Sequence, residues 1–125
     1  MSHTLVLMVG LDRTLAETRS KVLQHAGYTV ECAFSFTQAI DRFLAGDFDL
    51  VLLCHSIPAE SRERLTRRLR EHTSRTPIIT VAAFMGQRDP FADATIDNDP
   101  AELITGLQEI VRRTGNDSHR HKPHC

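Results

Sequence analysis

Residues 48–54 read Phe48-Asp49-Leu50-Val51-Leu52-Leu53-Cys54, and this stretch decides the fold. Its apolar residues run on without alternating, as they do in a strand buried on both faces, and Cys54-His55-Ser56-Ile57-Pro58 then opens a loop. The run predicts a strand over 48–53 in the middle of a parallel sheet, with Cys54 at its carboxyl end.

Toward the N-terminus, Leu5-Val6-Leu7-Met8-Val9 repeats the pattern and stops at Gly10, which predicts a second central strand. Leu15, Val22, Leu23 and Ala26 then recur at helical spacing, with Asp12 placed to cap the helix and Gly27 to end it. Tyr28-Thr29-Val30-Glu31-Cys32 alternates instead, as a strand near a sheet edge does. The helix after it has Ser35 and Gln38 at capping-box spacing, an apolar stripe of Phe36, Ala39, Ile40, Phe43 and Leu44, and Gly46 at its close.

Beyond Cys54 the spacing predicts a helix over 60–72, with Leu65 and Leu69 inward and Arg62, Arg64, Arg67, Arg68 and Arg70 on its remaining surface. Strands are expected over 77–83 and 94–96, and a last helix over 100–113. That helix has Asp99 and Glu102 at capping spacing, Pro100 in the first turn, and a stripe of Leu103, Ile104, Leu107, Ile110 and Val111. Gly86 and Pro90 fall between the last two strands, so at most about one turn of helix fits there. Strands alternating with helices imply an α/β fold: a doubly wound, five-stranded parallel sheet joined by right-handed crossovers.

The length of 125 residues suits one domain, read as residues 1–115 and followed by a polar tail over 116–125. Fifteen Lys+Arg against 16 Asp+Glu leave a net charge of -1, so no nucleic acid or anionic membrane partner is expected from charge. No apolar run approaches the roughly 18 residues of a spanning helix, and the start lacks a signal-peptide core, which makes a cytoplasmic location the expectation. Three cysteines, Cys32, Cys54 and Cys125, form neither a disulfide framework nor a paired-cysteine zinc site.

Several of these strings resemble the receiver domain of bacterial two-component response regulators over about residues 4 to 113. Val6-Leu7-Met8-Val9 resembles that family's first strand, Gly27-Tyr28-Thr29-Val30 with Ala33, Ala39 and Ile40 its second strand and helix, and 48–53 its third strand. Thr76-Pro77-Ile78-Ile79 is similar to its fourth strand, and Asp99-Pro100-Ala101-Glu102-Leu103 to the start of its last helix. The resemblance implies a flavodoxin-like sheet with strand order 2-1-3-4-5 and a fourth helix that is shortened or missing.

The family's phosphoryl chemistry uses an acidic pair after the first strand to hold magnesium, an aspartate after the third strand as nucleophile, a Ser/Thr after the fourth strand and a lysine after the fifth. On this chain the acidic pair falls on Gly10 and Leu11 with only Asp12 beside them, the nucleophile on Cys54 and the Ser/Thr on Ala82. No lysine lies between Lys21 and Lys122. Magnesium needs oxygen ligands, and phosphoryl transfer needs cations on the phosphoryl oxygens. The resemblance therefore implies a pseudo-receiver: a degenerate phosphoacceptor pocket of Gly10, Leu11, Asp12, Cys54 and Ala82, no catalytic residue, no enzyme activity and no cofactor. It would act on a signalling protein partner or on a second copy of itself as a homodimer.

Three features carry sharper readings. Cys54, at a strand's carboxyl end beside His55, could serve a thiol-based redox sensor or a small enzyme, against the reading of an inert buried thiol. The arginines of the third helix could meet an acidic partner, although Glu60, Glu63 and Glu71 interleave with them as on a solvated face. His119, His121, His124 and Cys125 are candidate metal ligands by residue type, whereas a flexible polar extension lacks the fixed second shell a metal site needs.

Overall fold

The computed structural model describes residues 4–73, 75–84 and 86–121, with side chains as far as Arg113. Five strands, β1 (Leu5–Val9), β2 (Thr29–Ala33), β3 (Leu50–Leu53), β4 (Ile78–Val81) and β5 (Ala94–Ile96), form one parallel sheet in the order β2-β1-β3-β4-β5. The helices are α1 (Arg13–His25), α2 (Phe36–Ala45), α3 (Ala59–Arg70) and α4 (Pro100–His121). This is the doubly wound sheet and the strand order that the sequence led us to expect.

Strand β3 is enclosed as its apolar run requires. Leu50 and Leu52 join Val6, Met8, Ile79 and Val81 in the core under α1 and α4, where Ala16, Leu23, Leu103 and Leu107 cover them. Val51 and Leu53 point the other way with Leu7, Val9 and Ile78, beneath Ala39 of α2 and Leu65 and Leu69 of α3. Each large side chain so enclosed contributes about 1.5–3 kcal/mol. The expected start of β3 at Phe48 moves to Leu50; just before it, Asp49 donates its backbone N–H to Leu5 O, and its Oδ2, where a backbone carbonyl would continue the ladder, accepts from Leu5 N.

The caps form where the residue types ask for them. Asp12 Oδ1 accepts from Leu15 N, Ser35 Oγ from Gln38 N, and Asp99 Oδ2 from Ala101 N and Glu102 N, each relieving an orphan N–H of a first turn. Gly27 takes φ 101° after α1, a left-handed conformation that a side chain would resist. Helix α4 continues past the expected end at Arg113 to His121. Gly115 costs a helix only about 1 kcal/mol, and the first hard stop in the sequence is Pro123.

Among the described residues no helix stands between β4 and β5. The segment 82–93 is held by side chains instead, and the decisive one corrects the sequence reading. Arg62 of α3, expected on the surface, is buried and donates to Asp89. Arg70, partly exposed, reaches the same segment at its far end, pairing with Asp93 and donating to Thr76 O. Arg62 falls on the Leu65/Leu69 side of α3, three residues before Leu65 and seven before Leu69, where helical geometry places residues on one face.

Candidate functional site

The carboxyl ends of β1, β3 and β4 bring the expected pocket residues together. Gly10 donates its N–H to Ala33 O, Cys54 donates to Val9 O across the β1–β3 seam, and Ala82 donates to Ile96 O. Ser56 closes the mouth: its Oγ accepts from Leu11 N at 3.0 Å and from Asp12 N at 3.4 Å. The expected pocket residues therefore lie at one end of the sheet, as open α/β folds arrange their sites.

Their chemistry differs from that of a metal-binding acidic pocket. A side chain at Gly10 would put its Cβ 3.2 Å from Cys54 Cβ and 3.4 Å from Ser56 Oγ, so the space beside Gly10 is already filled. Leu11 points to solvent at 51% exposure, and Asp12 spends one oxygen on the α1 cap. Cys54 is 1% exposed. Burial pushes its thiol pKa up, and the charge of Arg19 only partly opposes that. A neutral thiol and a methyl group at Ala82 offer Mg²⁺ none of its oxygen ligands, so these residues do not fit the ion.

Arg19 is the residue that the sequence reading missed. It sits on α1 between Leu15 and Leu23, at helical spacing on the buried face, and a charge on an apolar stripe was the available signal. Helical side chains lean toward the N-terminus of their helix, which carries the guanidinium of Arg19 up toward Cys54 and His55. Its charge acts on both: it favours the Cys54 thiolate, and it adds, with Arg62, to the desolvation that chiefly lowers the pKa of His55. The pocket thus holds a protein cation next to the thiol.

The other candidates do not gather into a site. Cys32 is half-buried on β2, its pKa raised mainly by desolvation. On α3, Arg67 pairs with Glu63 and Arg68 with Glu71, as on a solvated face. Among the described residues no three His, Cys, Asp or Glu could share a metal. The side chains of His119 and His121, and all of His124 and Cys125, lie outside what the structure describes. Among the described residues no helix is long and apolar enough to cross a membrane.

No protein-family model matches the chain. It is 32% identical over 122 residues to the uncharacterized transcriptional regulatory protein YkoG of Bacillus subtilis, covering 88% of this chain and 52% of YkoG. It is 28% identical over 118 residues to the response regulator ArlR of Staphylococcus aureus, covering 88% and 53%. The chain thus spans about half the length of these curated relatives, and about a third of DltR of Streptococcus agalactiae, a transcriptional regulatory protein 35% identical over 78 residues, 62% of this chain. Among solved structures, the signal receiver domain of an HD domain-containing protein from Pseudomonas fluorescens superposes with a TM-score of 0.79 at 17% identity, covering 96% of this chain and 95% of that one. The response regulator TrrA of Thermotoga maritima, solved in complex with Mg²⁺–BeF, gives 0.73 at 23% identity, covering 89% and 98%.

Proposed function

Starting from a chain with the fold of response-regulator receiver domains, we propose that it is a pseudo-receiver: a module that takes no phosphoryl group and signals by protein contact. The observation that supports this reading is the burial of Cys54, with the charge of the buried Arg19 acting on it, at the place where the resemblance puts a nucleophilic aspartate and its metal. A guanidinium beside a buried neutral thiol gives no carboxylate to attack phosphorus and no oxygen cage for magnesium. Phosphoryl transfer without those cations leaves the charge on the equatorial oxygens uncompensated.

Contact with a signalling partner draws support from the loops at the same end of the sheet. Leu11 after β1 and Phe84 after β4 are 51% and 66% exposed, and large apolar side chains held in water are suited to burial against another protein. Burial of Cys54 speaks against the redox or enzymatic alternative, since the thiolate is the reactive form and its formation is disfavoured there.

Intact-mass spectrometry after acetyl phosphate and Mg²⁺ treatment tests the reading. An unchanged mass is expected. A Mg²⁺-dependent gain of one phosphoryl group on the wild-type chain would overturn it.

A further inference from the structure

A cavity of about 410 Å³ opens between α1, the segment after β3 and the start of α4. Leu15, Val22 and Leu103 are its apolar lining, and Thr18, Arg19, His55 and Asn98 its polar lining. Arg19 is 6% exposed, and its buried Nη1 has no hydrogen-bond partner. Among the described residues no carboxylate forms an ion pair with it. An enclosed guanidinium short of both a bond and an ion pair is costly to hold, and an acceptor of opposite charge against the part of Arg19 that lines the cavity offsets part of that cost.

We propose that this cavity binds a small organic monoanion, a carboxylate with an apolar body, whose head meets Arg19 and whose body lies against Leu15, Val22 and Leu103. The walls select for the apolar body, because a bare inorganic anion would leave them wet. Asp12, close enough to act on both Cys54 and His55, and Asp99 at the α4 cap disfavour a second negative charge. His55 at the rim can donate to the same head group, and Asn98 is already committed to Ala83 O through its Nδ2.

The test is titration of the full ¹⁵N-labelled chain with sodium hexanoate, with 1-hexanol and inorganic phosphate as comparators, following the Arg19 side-chain Nε–H and the amides of Leu15, His55 and Leu103. Hexanoate should shift these signals saturably in the millimolar range, and both comparators should bind more weakly. Arg19→Gln should weaken hexanoate by about tenfold or more, as loss of a charge-assisted hydrogen bond does. Val22→Glu, which places a carboxylate in the wall and leaves Arg19 in place, should weaken it similarly even if Arg19→Gln fails to fold. Arg64→Gln, on α3 across the sheet, should change nothing. Absence of saturable hexanoate binding, equal binding of hexanol or phosphate, or full affinity in Val22→Glu would overturn the proposal. None of these readouts depends on whether the chain accepts a phosphoryl group.

Discussion

Arg62 Nε lies 2.8 Å from Asp89 Oδ2, and the two side chains are only 5% and 6% exposed. This pair joins α3 to the segment between β4 and β5, and Arg62 also donates to Ile57 O in the loop after β3. Asp89 in turn donates its backbone N–H to Thr95 Oγ1. The ion pair therefore anchors a stretch of chain that has no helix of its own among the described residues.

Removing one partner strands the other charge in the core. Asp89→Ala should cost about 3–5 kcal/mol in denaturant unfolding. The double variant Arg62→Met with Asp89→Leu should lose less than Asp89→Ala alone, because it buries no uncompensated charge. A loss below about 1 kcal/mol for Asp89→Ala would mean that water reaches Arg62.

Thr80 on β4 is fully buried, and its Oγ1 has no hydrogen-bond partner. Replacing that hydroxyl by a methyl group of the same shape removes an unpaid desolvation cost. Thr80→Val should stabilise the fold by about 1 kcal/mol, seen as a higher midpoint in urea at unchanged slope. A destabilised variant would show that the hydroxyl has a partner.

Cys54 should react slowly with a soluble thiol reagent at neutral pH, since burial raises its pKa and keeps it protonated. The same shift has a stability consequence. The folded pKa lies above the unfolded value, so the unfolded chain releases its proton first as pH rises. The thiol's contribution is complete below the ordinary thiol pKa of 9.0 and is lost as pH rises through the folded value. Cys54→Ala should flatten the fall in melting temperature between about pH 8 and about pH 10, leaving the contributions of Cys32 and Tyr28, whose pKa values are also raised. An identical alkaline profile in wild type and Cys54→Ala would refute the assignment.

Cys54→Asp should not gain a phosphoryl group from acetyl phosphate. The new carboxylate comes under the charge of Arg19 and finds no acidic partner at Gly10 or Leu11, so an internal ion pair is expected rather than a magnesium site. Mass spectrometry decides this, and phosphorylation of the single variant would show that Asp12 alone can hold the metal.

Much of this molecule is legible from local sequence. The unbroken run Leu50–Leu53, the alternation over β2, and the caps Asp12, Ser35 and Asp99 act within a few residues of themselves, where backbone geometry and burial period set the outcome. The same holds for Gly10, Cys54 and Ala82, which follow strands of a parallel sheet and must therefore share its carboxyl end.

What local sequence did not decide is where the long charged side chains go. Arg19 and Arg62 stand on apolar stripes that look flawed when read alone, and Arg62 finds its partner 27 positions away, in a loop whose path no periodicity describes. A guanidinium on a flexible stem can reach solvent or fold inward, and only the packed neighbours set which is lower in free energy. The cation beside Cys54 and the clamp on Asp89 thus belong to the tertiary structure. They depend on charges brought together across elements, whereas the strands and helices depend on a hydrophobic period that each segment carries within itself.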